Sequence, residues 1–317
     1  MTEAYLVGGV RTPVGRYGGA LASVRPDDLA SIVVREAALR AGIDPLQVEI
    51  DEVILGAANQ AGEDNRNVAR MAVLLAGLPD SVPGITVNRL CASGMSAVTM
   101  AAQAVRAGDA DVILAGGVES MTRAPWVQAK PEKAWAKPGA AFDTSIGWRF
   151  PNPRLLAREK ATFSMPETAE EVARVDGISR DEADAFALRS QERAAAAIAG
   201  ARFEAEIVGV PVGSGEVTVD EGPRPETTLE GLARLRPVVA GGQVVTAGNS
   251  SALNDGASAI VVASAAAVER YGLVPRARIV AGTSAGLAPE VMGLGPVPAT
   301  QKALRRAGLS IDDIGSI

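Results

Sequence analysis

The 317-residue sequence contains no histidine and a single cysteine, Cys91. The first absence removes the commonest general base, and with it any catalytic triad or dyad built on imidazole. One thiol cannot close an intrachain disulfide, and with neither imidazole nor a second thiol a zinc site lacks its usual ligands. No apolar run approaches the roughly 18 residues of a membrane span, and the opening Met1-Thr2-Glu3-Ala4-Tyr5-Leu6 has no basic region followed by an apolar core. The default location is therefore the cytoplasm, and Asn249-Ser250-Ser251 reads as a chance match to a glycosylation triplet. Charged residues make up 21% of the chain with a net charge of −6, and the sequence pI is about 5.0. The two signs are interspersed, so neither nucleic acid nor an anionic membrane is an expected partner. An anionic ligand needs a local basic site.

What is present is apolar material in quantity. Hydrophobic residues account for 47% of the chain and the mean hydropathy is +0.15, enough for sizeable cores in about two domains. Strand-like runs at Ala4 to Val10, Val53 to Ala57, Ile85 to Val87 and Val112 to Gly116 alternate with helical runs at Asp27 to Ala41, Asn67 to Ala76 and Gly94 to Ala107. That alternation predicts an α/β domain with a largely covered sheet. From Met121 to about Thr246 the character changes: prolines, three tryptophans and two helical stretches, the second opened by the capping box Ser179-Arg180-Asp181-Glu182, indicate an inserted subdomain. The first pattern resumes from Asn254, with Ala259 to Val262 as a strand, a short helix to Tyr271 and a new strand expected at Arg278 to Ala281.

An internal echo links the two ends. Ala38-Leu39-Arg40-Ala41-Gly42-Ile43-Asp44 followed by Ile50 to Ile54 is similar to Ala303-Leu304-Arg305-Arg306-Ala307-Gly308-Leu309 followed by Ile311 to Ile314. Each reads as a helix, a glycine cap and a short loop before a strand. A duplicated half is one reading and a coincidence of two amphipathic helix ends is the other. Under the first reading the second half is expected to be incomplete at Ile317, leaving apolar surface and a free strand edge.

Cys91 lies where the short strand Gly84-Ile85-Thr86-Val87 gives way to a helix whose apolar residues recur at Met95, Val98, Met100, Ala102 and Val105. Free N–H groups and the helix dipole favour a thiolate at such a junction. Ala92, Ser93 and Gly94 allow a tight turn and leave room for a substrate to reach the sulfur. An inert buried cysteine is the competing reading, since no base partner is in the chain.

The segment Val87-Asn88-Arg89-Leu90-Cys91-Ala92-Ser93-Gly94-Met95-Ser96-Ala97-Val98 resembles the nucleophile motif of the thiolases. Four more segments resemble that family in the same order. They are Arg11-Thr12-Pro13-Val14-Gly15, Gly116-Gly117-Val118-Glu119-Ser120-Met121, Thr246 to Ala257 and Met292-Gly293-Leu294-Gly295-Pro296-Val297-Pro298-Ala299. Phe142 to Phe150 and Ser164 to Glu170 look most like the members acting on 3-oxoadipyl-CoA. The resemblance implies a thiolase fold, duplicated α/β/α half-domains with an inserted loop domain and an incomplete second half. Its expected boundaries are 1–120 plus 247–272 for the first half, 121–246 for the loop domain and 273–317 for the start of the second half.

The implied chemistry is acyl transfer between a 3-oxoacyl-CoA and CoA through an acyl-cysteine on Cys91, with CoA as co-substrate and no tightly bound cofactor or metal. Acetoacetyl-CoA is the alternative substrate, and a noncatalytic chain completed by a partner is the alternative of another class. A condensing enzyme of the ketoacyl-synthase kind matches the motifs less well. By the same resemblance Ser251 contacts the pantetheine arm, Arg224 lies near the nucleotide end, and Met165 and Met292 border the acyl tunnel. Their plainer readings are a turn residue, a solvated charge and core fillers. Gly222 stands where the family often has histidine. The family's Asn-Glu-Ala-Phe, Gly-His-Pro and Cys-x-Gly motifs are absent from these residues, so the polypeptide by itself is expected to be severely impaired. A homodimer or homotetramer is the implied assembly.

Overall fold

Residues that alternate between two apolar faces build the central sheet of this protein, a computed structural model that describes residues 2–317. In chain order the first elements are β1 (Ala4–Arg11), β2 (Gly15–Arg16), α1 (Pro26–Arg40), β3 (Glu52–Gly56), α2 (Val68–Leu75), β4 (Gly84–Val87), α3 (Ser93–Ala107) and β5 (Val112–Ser120). There follow β6 (Trp126–Gln128), β7 (Ala141–Asp143), α4 (Pro153–Leu156), α5 (Met165–Asp176), α6 (Arg180–Ala199), β8 (Val210–Val212), β9 (Gly215–Val217) and α7 (Leu229–Ala233). The last are β10 (Asn254–Ser264), α8 (Ala265–Tyr271), β11 (Pro275–Arg278) and α9 (Pro296–Ala307), with 3₁₀ turns at Pro289–Leu294 and Ile311–Asp313. The chain divides into two compact units.

The first unit comprises the residues up to Trp126, Phe203–Gly222 and Leu253–Ile279. Its sheet has the order β11-β1-β10-β5-β3-β4, with β2 paired to β10. Strands β3, β4 and β5 run parallel, whereas β10 and β1 are antiparallel to their neighbours. Val53, Leu55, Val112, Leu114, Val261 and Ala263 face α1 and α2, which bury Leu29, Val33, Val34, Val68 and Val73 against them. The residues between them in sequence, Ile54, Ile113, Ala115 and Val262, face α3 on the other side. This period of two gives an α/β/α sandwich, and each large aliphatic side chain buried in it contributes about 1.5 to 3 kcal/mol.

A polar clasp ties Phe203–Gly222 to the start of the chain within this unit. Arg11 donates to both carboxylate oxygens of Asp220 at 2.7 and 3.0 Å and to Glu206 Oε1 at 2.6 Å, while its guanidinium lies 5.1 Å from the Phe203 ring centre. Asp220 also accepts the Val14 N–H at 2.8 Å. Burial pushes the Asp220 carboxyl up, but the Arg11 guanidinium and the Val14 N–H outweigh it and hold it below the usual range. A depressed carboxyl stabilises the fold above its unfolded pKa, and that contribution is lost as pH falls through the lower folded value. Asp220→Asn is therefore expected to cost about 1.5 to 3 kcal/mol at pH 7. Urea unfolding at pH 7 and again near pH 3 checks this, with the gap between variant and parent narrowing in acid.

The second unit comprises Val127–Arg202, Pro223–Ala252 and Val280–Ile317. Capping boxes at Ser164 and Ser179 start α5 and α6, the latter as its sequence indicates. The Glu170 carboxylate on α5 accepts the backbone N–H groups of Gln243, Val244 and Val245. Asp184 on α6 pairs with Arg180 at 2.7 Å and accepts from Asn249 Nδ2 at 2.9 Å. These bonds fix the strandless stretch 243–249.

The echo between the chain's two ends has a structural counterpart. After α1, Gly42 adopts φ +75° and the Ile43 N–H bonds the Ala38 carbonyl; after α9, Gly308 adopts φ +70° and the Leu309 N–H bonds the Leu304 carbonyl. Both are Schellman-type endings that only glycine enters without strain. Two expectations are corrected. The strand expected at Arg278–Ala281 lies at Pro275–Arg278, because its partner β1 begins at Ala4, whose carbonyl takes the Ile279 N–H and exhausts the pairing. On α3, Met95 and Met100 are 75% and 39% exposed, and the buried stripe is Ala97, Ala101, Ala102 and Val105. The helix lies too close to the sheet for long side chains there.

Candidate active site

Two glycines, Gly56 and Gly117, explain that close approach, while a Cβ on Gly94 would make only ordinary contact. A Cβ on Gly56, the last residue of β3, would lie 2.3 Å from the carbonyl carbon of Ser93, and one on Gly117 of β5 would lie 2.9 Å from the Gly56 oxygen. At Gly94 a Cβ would sit 3.6 Å from the Gly116 oxygen. The N-terminus of α3 therefore rests directly on the carboxyl ends of the parallel strands β3 and β5, the end at which open α/β sheets bind ligands.

Between β4 and α3 the chain makes an elbow. Leu90 adopts φ +48°, a left-handed conformation that costs a branched residue about 1 kcal/mol or more and needs support from its surroundings. Support comes from two side chains. Ser93, 4% exposed, accepts the Arg89 N–H at 2.8 Å and donates its hydroxyl proton to the Leu90 carbonyl at 2.6 Å. Asn88 accepts the Leu90 N–H at 2.9 Å and donates to the Ala58 carbonyl at 2.8 Å, bracing the elbow against the exit of β3. Cys91 then stands exposed at the apex. Its backbone N–H has no acceptor among the described residues, and α3 has no side-chain N-cap. An exposed thiol beside free N–H groups is suited to attack a carbonyl and to hydrogen-bond the oxyanion that forms.

The other residues singled out from sequence lie in the second unit. Ser251 is exposed and its hydroxyl donates to the Ala252 carbonyl at 3.1 Å. Arg224 heads a turn: its N–H donates to Gln191 Oε1 at 2.7 Å, its carbonyl accepts from Thr227, and its exposed guanidinium has no partner among the described residues. Met165 opens α5 and Met292 lies in the 3₁₀ turn packed on that helix, where the Cα of Gly293 faces Val172. Both methionines are exposed. Sequence reading took Ser93 only as a small turn residue and gave no individual role to Asn88, Gly56 or Gly117. The adjacent small residues after Cys91 and the paired glycines at 116–117 were the available signals.

Comparison with known proteins identifies the family. The model described as thiolase, N-terminal domain, matches residues 4–266, and that described as thiolase, C-terminal domain, matches residues 273–317. The chain is 56% identical over 324 residues to the 3-oxoadipyl-CoA/3-oxo-5,6-dehydrosuberyl-CoA thiolase of Escherichia coli K12, covering all of this chain and 80% of the relative. It is 54% identical over 315 residues to the beta-ketoadipyl-CoA thiolase of Pseudomonas aeruginosa, covering 98% of this chain and 78% of the relative. Among solved structures, the acetyl-CoA acetyltransferase of Bacillus anthracis superposes with a TM-score of 0.89 at 38% identity, over 99% of this chain and 78% of that one. The chain belongs to the thiolase family.

Proposed function

We propose that this chain carries out acyl transfer from 3-oxoadipyl-CoA to CoA, with Cys91 as the acyl acceptor. Identity above one half along essentially the whole chain to relatives named for 3-oxoadipyl-CoA, against 43% to an acetyl-CoA acetyltransferase over 99% of the chain, favours the dicarboxylic substrate over acetoacetyl-CoA. The Cys91 sulfur attacks the 3-keto carbon, and the bond between C2 and C3 breaks. The two-carbon fragment departs as the enolate of acetyl-CoA and takes up a proton. The four-carbon acyl group left on sulfur then passes to the thiol of a second CoA, which gives up its proton. The exposed sulfur and the unpaired N–H of Cys91 support this reading.

Further elements of the proposal concern binding. Ser251 contacts the pantetheine arm, Arg224 the nucleotide end, and Met165 and Met292 the acyl chain; of these, Arg224 and Met165 come from the loop domain, which spans 121–246. CoA is co-substrate, the assembly is a homodimer or homotetramer, and the compartment is the cytoplasm. The 317 residues hold neither histidine nor a second thiol, so by themselves they are expected to run this transfer at a severely reduced rate, with slow acylation of Cys91 as the main output. Multiple turnover at roughly 1 to 1000 per second contradicts that expectation. Substrate choice is tested by offering equimolar 3-oxoadipyl-CoA and acetoacetyl-CoA and weighing the protein. The four-carbon dicarboxylic adduct is expected in about tenfold excess over the acetyl adduct, and an excess of acetyl points to an acetoacetyl-CoA thiolase.

A further inference from the structure

We propose that the Ser93 hydroxyl is a positioning group for acyl transfer, acting through the elbow rather than on the substrate; the proposal rests on Cys91 being the acyl acceptor. Ser93 is buried, and its oxygen joins the Asn88–Arg89 peptide to the Leu90–Cys91 peptide: it takes the Arg89 N–H and gives its proton to the Leu90 carbonyl. That bridge closes a loop around the left-handed Leu90. With Leu90 in this conformation, the neighbouring backbone donors are used internally. Arg89 N–H goes to Ser93, Leu90 N–H to Asn88, Ala92 N–H to the Arg89 carbonyl and Ser93 N–H to the Leu90 carbonyl. Only the Cys91 N–H in this run is left without an acceptor among the described residues. If the bridge is lost, Leu90 relaxes toward negative φ, the peptide between Leu90 and Cys91 rotates, and the donor no longer sits where the oxyanion develops.

The Ser93 backbone is in turn pinned from below, because the Gly56 position has no room for a Cβ beneath it. Hydroxyl bridge and glycine floor together hold one peptide plane. Gly56 thus serves the same positioning role from the sheet side.

The prediction separates two reactions of one sulfur. Acetyl-CoA acetylates Cys91 by forming a bond between sulfur and the carbonyl carbon, passing through an oxyanion, and expelling CoA thiolate, which picks up the proton lost by the Cys91 thiol. Iodoacetamide alkylates the same sulfur with loss of iodide and forms no oxyanion. Misplacing the oxyanion donor should slow the first and spare the second. Ser93→Ala is expected to lower the rate of acetylation by acetyl-CoA at least about tenfold relative to the parent, while the iodoacetamide rate stays within about twofold to threefold. Asn88→Ala removes the second brace from an exposed position and should move the ratio of the two rates the same way, even if Ser93→Ala fails to fold. Ala101→Gly, a buried α3 position away from the elbow, lowers thermal stability without touching it and should leave the ratio unchanged. The inference is overturned if Asn88→Ala and any folded Ser93→Ala keep the parent ratio, or if Ala101→Gly shifts it equally. A parent protein that is alkylated but never acetylated overturns the acyl-acceptor reading itself, and this inference with it.

Discussion

Cys91→Ala is expected to reduce acylation of the protein by 3-oxoadipyl-CoA by roughly 10⁴-fold or more, the scale on which removal of a covalent nucleophile acts. Because Cys91 is exposed, its stability should change by no more than about 0.5 kcal/mol. The two measurements together decide the matter. Unfolding in urea with an unchanged midpoint, alongside loss of the adduct in intact-mass analysis, assigns the effect to chemistry. A retained adduct places the acyl group on another side chain, and a lowered midpoint returns Cys91 to the role of a packing residue.

Gly116→Ala is expected to be the most damaging single substitution in the sheet. A Cβ there would lie 2.0 Å from the Ser258 oxygen and 2.8 Å from the Cα of Ala259, and both belong to the backbone of β10, which pairs with β5 residue for residue from Ser120 to Val112. Backbone in the middle of a ladder cannot yield as a flexible side chain does. The cost should be on the order of 3 to 5 kcal/mol, a large part of a domain's stability. Gly308→Ala makes the useful contrast. It also loses a glycine, at φ +70°, but a Cβ there meets open space, so only the conformational penalty of about 1 to 2 kcal/mol applies. Chemical denaturation of both variants tests the difference, and equal losses contradict the steric account.

The alternation that places β1, β3, β4 and β5 between α1, α2 and α3 was legible in the sequence because short apolar runs such as Val53–Leu55 and Val112–Ala115 alternate with longer helical stretches. So was the elbow: Val87 ends β4, Ser93 begins α3, and Cys91 falls between them. Which side of α3 the sheet covers was not legible. Met95 and Met100 have the hydropathy of core residues, yet alanines fill the contact because glycines at 56 and 117 bring helix and strands together. Periodicity reports the angle of an apolar face and says nothing of the distance to its partner. Long-range polar pairs were equally out of reach. Arg11 and Asp220 are 209 positions apart, and Asn249 meets Asp184 across 65; in each case only folding supplies the partner. The Ser93 bridge is local, but its meaning depends on the sign of one dihedral angle at Leu90, which composition does not encode.

The most direct measurement is peptide-level mass spectrometry of the 317-residue protein after incubation with one equivalent of 3-oxoadipyl-CoA, with released acetyl-CoA counted in the same sample. The account predicts a four-carbon dicarboxylic acyl group in thioester linkage on the peptide containing Cys91, matched one for one by acetyl-CoA. Acetyl-CoA released with no acyl group on Cys91, or an acyl group carried by any other residue, contradicts it.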